Sequence, residues 1–292
     1  MTSDISTSTA EHGEDSDKAA HIARFGTHGT WGWHGRFSAD EARRIEELGL
    51  GTIWLGGSPK DLQPVREVLA ATDHITVATG IVNIWNTDAA VIADEFHALE
   101  TDFPGRFYLG VGAGHPEATA EYRKPYDAVS AYLDVLDEKS VPVNRRLLAA
   151  LGPRMLRLSA DRALGAHPYL TPPAHTTVAR DELGAGVLLA PEHKVVVETN
   201  AVAARAVGRP PVDQPYLHLQ NYTANLKRLG YTDADIADGG SDELIDALVA
   251  HGDAASVRRQ VDAHLDAGAD HVAIQVLGSE TPVDELAAII GA

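Results

Sequence analysis

The chain has 292 residues, with 24 Lys and Arg against 42 Asp and Glu, a formal net charge of −18. That balance argues against nucleic acid and anionic membrane surfaces as partners, because both require clustered Lys and Arg. Cysteine is absent, which removes disulfides, thiolate metal sites and a thiol nucleophile together. No apolar run approaches the roughly 20 residues of a membrane span. The first twenty residues are polar and acidic, without the basic start and apolar stretch of a signal peptide. Residues 1–20 therefore read as a disordered acidic tail, and residues 21–292 as one domain of a soluble, cytoplasmic protein.

From there the chain alternates short β-type runs with helical segments. Residues 21–27 read as a first strand, followed by the loop HGTWGWHGRF. Ser38 and Glu41 form a capping box for a helix whose Ala42, Ile45 and Leu48 share a face, and Gly49 stops it. LGTIWLGG is a second strand and residues 61–71 a helix. Residues 75–82, β-branched on both faces, form a third strand of the buried parallel kind. Residues 88–100 are helical, RFYLGVGAGH is a fourth strand, and 124–139 a helix. RRLLAALG, GAHPYLT and GVLLAPE read as strands five to seven, each followed by a helical segment. Residues 193–252 break the rhythm and read as three helices: HKVVVETNAVAARAVG, QPYLHLQNYTANLKRLG and SDELIDALVAHG. Asp253 caps a further helix, HVAIQVL is an eighth strand, and PVDELAAII closes the chain. Eight βα units predict an α/β fold, a (β/α)8 TIM barrel with a helical insertion before the last strand. A doubly wound open sheet is the rival architecture.

Few motifs carry chemistry. GVGAG at 110–114 misses the G-x-G-x-x-G dinucleotide fingerprint, since its third glycine falls one position early and Pro116 follows. Glycines at alternate positions of a strand end either admit a ligand to the backbone or form a plain turn. The fourteen histidines include no metal-ligand pair, and no metal site is expected. His115 and His167 sit at the ends of expected strands, where an imidazole serves either as acid and base or as a loop cap. Trp31, Trp33 and Trp85 lie at or beyond strand ends, placed either for stacking on a planar ligand or for loop packing.

The strand-three run VATGIVNIW and PGRFYLGVGAGH together resemble the bacterial luciferase-like superfamily. They are most similar to its branch that uses coenzyme F420, an 8-hydroxy-5-deazaflavin. RRLLAALGPRM, GAHPYLTPPAH and GDAASVRRQVDAHLDAGADHVAIQVL extend the resemblance over about residues 22–290. It implies a deazaflavin at the C-terminal mouth of the barrel, with FMN as the alternative, and a homodimer. It implies a bulge with a non-proline cis peptide at Gly80-Ile81 behind the ring, with Asn83 just beyond. It places Gly112, Ala113 and Gly114 at the ribityl-phosphate tail, and Ala150, Leu151 and Gly152 along the cofactor. Trp31, Trp85, His167 and Thr171 fall to the substrate.

Two positions depart from the sugar-phosphate-oxidising relatives. Gly56-Gly57 stands where they carry a catalytic histidine, and His115 where they carry a glutamate. The implied activity is hydride transfer between the deazaflavin and a small organic molecule, by reduction of C=C or C=O, with His115 as proton donor. An FMN-dependent monooxygenase and a non-catalytic F420-binding protein are the competing functions.

Overall fold

The computed structural model describes residues 17–114 and 124–291. Its strands are β1 His28–Trp33, β2 Thr52–Gly56, β3 Thr76–Thr79, β4 Val82–Asn83, β5 Phe107–Gly112, β6 Arg146–Leu148, β7 Gly165–Ala166, β8 Leu188–Leu189, β9 Glu192–Val197, β10 Val249–Gly252 and β11 Val272–Val276. The helices begin with α1 at residues 17–23. They continue with α2 Ala39–Glu47, α3 Gln63–Ala71, α4 Ala89–Asp102, α5 Pro125–Glu138, α6 Pro153–Arg162 and α7 Pro173–Leu183. After β9 come α8 Ala201–Asp213, α9 Gln220–Arg228, α10 Asp233–Ile236 and α11 Asp242–Leu248, then α12 Ala254–Asp266 and α13 Pro282–Ile290 around β11.

The strands form one curled parallel sheet in the order β10-β9-β11-β1-β2-β3-β5-β6-β7-β8, with β4 also on β5. β8 and β9 are separated in the chain only by Ala190 and Pro191. One end of the order, β8, and β9, one strand in from the other end, therefore belong to one run of main chain. Ala190 N–H donates to Ala166 O at 3.0 Å on one side, and Ala273 N–H to Pro191 O at 2.9 Å on the other.

Alternation along the strands divides the core. Ile53 and Leu55 of β2 pack with Ile45, Leu69 and Ile92 of the surrounding helices. Trp54 between them faces the other way, into a cluster of Phe25, Trp31, Ala78, Tyr108, Leu147 and Ala273. That second cluster fills the inside of the curl.

Five expected assignments move. Residues 17–20, taken with the tail, already belong to α1, an Ala-rich segment. Residues 21–23 continue that helix instead of forming a strand, because α1 closes one end of the curl: His21 Nδ1 meets the Tyr108 hydroxyl at 2.7 Å and Phe25 is fully buried. The first strand is the HGTWGW segment expected as a loop; its β1 register sets Gly29 against Thr52 and His28 against Val272. HKVVV, expected as helix, is the body of β9, where three successive valines suit an extended chain. Residues 249–252 likewise leave the expected helix and pair with β9 as β10.

Between those strands, helices α8 to α11 share a small core of Ala204, Val212, Leu217, Tyr222, Leu226 and Leu244, which joins the sheet at Val196 and Val249. No helix among the described residues is long and apolar enough to cross a membrane.

Phe25 tests the inner cluster. Its ring lies 4.7 Å from Tyr108, 5.7 Å from Trp54 and 5.9 Å from His271. Phe25→Ala leaves a cavity that α1 cannot fill, and should lower the unfolding free energy by about 3–5 kcal/mol in urea melts.

Candidate functional site

The C-terminal ends of the strands converge on one side of the sheet, where parallel α/β folds gather their ligands. The break between β3 and β4 is the first feature there. Val77 pairs with Phe107 and Val82 with Val111, so five steps along β3 and β4 match four along β5. The extra residue makes a bulge, and the Gly80-Ile81 peptide within it is cis.

Side chains from neighbouring strands close on that bulge. Trp31 Nε1–H donates to Gly80 O at 3.3 Å. A Cβ on Gly80 would lie 2.8 Å from His167 Nε2 and 3.0 Å from Trp31 Nε1, so only glycine fits. A Cβ on Gly112 would sit 2.8 Å from Ala149 Cβ and 3.2 Å from Ile81. Asn83 packs on Gly114, a residue with φ of +58°. Asn83 Oδ1 also accepts from Trp85 N–H at 3.0 Å, and the Trp85 indole donates to Ala113 O at 2.6 Å. Trp31, Gly80, Ile81, Asn83, Trp85, Gly112, Ala113, Gly114 and His167 thus form one connected set.

Below it, His167 lies flat on Trp54, with ring centroids 3.9 Å apart and planes at 10°. A carbonyl only accepts, so the 2.6 Å contact with Ala190 O fixes a proton on Nδ1. Nε2 is left as an acceptor, buried and unpartnered among the described residues. Burial holds His167 near a pKa of about 4, and the neutral ring persists at pH 7. Four residues on, Thr171 Oγ1 is likewise buried without a partner.

Ala150, Leu151 and Gly152 lie one strand over and lead into α6, with Gly152 as its N-cap and Pro153 in its first turn. They join the set through Ala149, and His175 Nε2 donates to Leu151 O at 2.9 Å. The exposed Arg228 guanidinium stands beside Gly152. His115, expected as the proton donor, lies outside the described residues.

Gly56-Gly57 has a steric explanation. A Cβ on Gly56 would run into the Trp31 indole, and one on Gly57 into the Trp33 ring. The space a strand-two side chain would use is taken by two tryptophans from β1.

The sequence reading missed a polar cluster beside this set. Lys194 Nζ donates to Glu192 Oε1 at 3.0 Å and to Gln275 Oε1 at 3.2 Å, and lies 3.9 Å from the Tyr169 ring centroid. Glu192 Oε2 accepts from Leu170 N–H at 3.0 Å. The Tyr169 hydroxyl donates to Gln275 Oε1 at 3.0 Å, and its ring packs 5.1 Å from Trp31. Burial pushes the Glu192 carboxyl up and the Lys194 amine down, each opposed by the other's charge. The available signal was Glu192 and Lys194 two apart in a run that is otherwise apolar; extended chain places both on one face.

Comparison with known proteins bears on the fold and the family. Residues 21–138 match the family described as luciferase-like monooxygenase. A stretch of 85 residues is 35% identical to the uncharacterized protein YvbT of Bacillus subtilis (strain 168), covering 26% of this chain and 25% of that one. The match thus spans about a quarter of the length of that relative. Solved structures of the same fold include an F420-dependent secondary alcohol dehydrogenase in complex with an F420-acetone adduct, with a TM-score of 0.68, 16% identity, and 91% of this chain and 98% of that one covered. A coenzyme F420-dependent tetrahydromethanopterin reductase from Methanopyrus kandleri aligns with a TM-score of 0.62 and 16% identity over 90% and 96% of the two chains. The oxygenating constituent of 3,6-diketocamphane monooxygenase from Pseudomonas putida, in complex with FMN, gives 0.62 at 13% identity over 91% and 95%. At these identities the likeness is one of fold.

Buried neutral histidines make the fold acid-sensitive. His167 and His193 are held at about 4 and His271 at about 3 by desolvation, against 6.5 in an open chain. Below pH 6.5 the unfolded chain binds protons that the folded chain refuses, so stability falls as pH drops towards 4. Each histidine contributes up to about 1.4 kcal/mol per pH unit in that window. Urea melts at pH 7, 6 and 5 should show a steep loss, and His167→Phe should flatten it by about one proton.

Proposed function

We propose that this luciferase-like chain is an oxidoreductase built on a (β/α)8 barrel. It takes coenzyme F420 at the C-terminal mouth and moves a hydride between it and a small organic substrate. The observation that carries the reading is the connected set around Gly80-Ile81. A bulged strand end and two glycine-bearing strand ends lie beside buried polar atoms, His167 Nε2 and Thr171 Oγ1, that have no partner among the described residues. Buried polar atoms are normally satisfied, so unpaired ones at a strand mouth suit a ligand with its own donors and acceptors. These residues fit a planar heterocycle with a phosphorylated tail.

Gly80, Ile81 and Asn83 would back the ring. Gly112, Ala113 and Gly114 would present backbone N–H groups to the tail, and Ala150, Leu151 and Gly152 would border it at the α6 N-terminus. Arg228 adds a positive charge beside Gly152. Trp31, Trp85, His167 and Thr171 are left for the substrate, and His115 is the residue the sequence suggests for the proton. When bound, a reduced deazaflavin supplies a hydride and reacts poorly with oxygen, whereas reduced flavin would supply oxygen chemistry.

Titrating the protein with F420 and with FMN while following Trp fluorescence tests this. Saturable quenching by F420, followed by anaerobic hydride transfer to an acceptor, is expected. Gly114→Val adds a β-branched side chain at positive φ against Asn83 and should weaken that binding about tenfold or more. Binding of neither cofactor would remove the proposal, and oxygen uptake with reduced FMN alone would replace it with a monooxygenase.

A further inference from the structure

We propose that Tyr169 is a catalytic residue, the hydroxyl that hydrogen-bonds and protonates the oxygen of a carbonyl substrate as it is reduced. This rests on the reading of the mouth as a hydride-transfer site and names the substrate class: ketones and α,β-unsaturated carbonyls.

The argument starts from the buried ion pair. Lys194 and Glu192 are 1% and 0% exposed at their side chains. Such a pair is costly to desolvate, and well-packed apolar residues would serve stability as well. Two of the three Lys194 N–H bonds go to Glu192 and Gln275, and the ammonium faces the Tyr169 ring at 3.9 Å. The pair itself has no exposed surface. Its charge reaches the mouth through Gln275 and Tyr169, both partly exposed. Of these, Tyr169 has a transferable proton.

Its location is set from three sides. The ring packs on Trp31, whose indole N–H holds the Gly80 carbonyl at the bulge. Tyr216 packs against it at 5.4 Å and is hydrogen-bonded to it. The following residue, Leu170, holds a left-handed φ of +55° and is pinned by Glu192. A leucine in that region is unfavourable without such support, and this arrangement fixes the direction of the Tyr169 side chain. Burial keeps the phenol protonated far above neutral pH, which makes it a donor and not a base.

The step balances. Hydride from the bound reduced deazaflavin-class donor adds to the carbonyl carbon, and the C=O π pair moves onto oxygen. That oxygen takes the Tyr169 proton and becomes a hydroxyl. The donor is oxidised by two electrons, and the phenolate, beside the Lys194 ammonium, regains its proton from solvent. For an α,β-unsaturated carbonyl the hydride adds at the β-carbon and the proton first reaches the enolate oxygen. Gln275 keeps its bond from Lys194 while Tyr169 turns to the substrate.

Tyr169→Phe keeps the ring on Trp31 and Lys194, so the fold and F420 affinity should hold within about threefold. Two readouts follow. The first uses 4-nitrophenolate as a mimic of the developing oxyanion, followed by its absorbance; Tyr169→Phe should bind it about tenfold more weakly than wild type. The second is single-turnover oxidation of reduced F420 by acetone and cyclohex-2-enone. Tyr169→Phe should slow it by about a hundredfold or more. Its residual rate should fall as pH rises and recover with added imidazolium, while wild type stays flat across neutral pH.

Unchanged phenolate binding or wild-type turnover in Tyr169→Phe overturns the assignment, as does the loss appearing in His115→Ala alone. A wild-type protein that binds F420 but reduces neither carbonyl overturns the substrate class. One that binds no cofactor overturns the hydride-transfer reading instead, and the phenolate titration still judges Tyr169 by itself.

Discussion

The face-to-face contact of Trp54 with His167 supports the whole mouth. The indole lies inside the curl, anchored through Nε1 to His271 Nε2 at 3.0 Å, while His271 in turn donates to Gly26 O at 2.8 Å. Stacked on that base, His167 has no freedom to turn, and its Nδ1 proton is committed to Ala190. Gly80 is then the residue that fits against Nε2, Trp31 covers the bulge, and Tyr169 packs on Trp31. Each layer is shaped by the one beneath it, which is how an interior packed to crystal-like density transmits position over several residues.

Much of this was legible from local signals. The capping box at Ser38 and Glu41 is present with both hydrogen bonds, and the expected cap at Asp253 opens α12. These are short-range statements that tertiary contacts had no reason to overturn. The strand at 28–33 was hidden because its glycines, tryptophans and histidine look like a loop. Its extended form comes from pairing with β2 and β11, more than 15 residues away in one direction and more than 200 in the other. Helix α1 was hidden for a different reason: Ile22 is its one large apolar residue, and its place is set by Phe25 entering the curl.

The misreading of 193–197 had the larger consequence. With the helix expected from His193, Glu192 ends one element and Lys194 opens another, and nothing sets the two on one face. As strand they stand on one face, two residues apart, and the pair becomes a single buried object next to Tyr169. The period assigned to five residues thus decided whether a charged centre in the site could be noticed. The glycine pair at 56-57, by contrast, was noticed as a departure, but its cause needed coordinates, since the rings that fill it come from another strand.

The meeting of β8 and β9 gives the sheet an unusual seam. Elsewhere neighbouring strands are joined by hydrogen bonds, and a ladder can in principle slide by two residues and re-form. Here β8 at one margin and β9, one strand in from the other, are the same polypeptide, joined through Ala190 and Pro191 by covalent bonds. One margin cannot shift against the other without dragging β7 and β11 with it. The length of a single extended run sets the phase of one side of the curled sheet against the other. His167 bonds to the first residue of that joint, Ala190, and Glu192 follows the second, so the groups that line the mouth are tied to the place where the sheet is least able to slip.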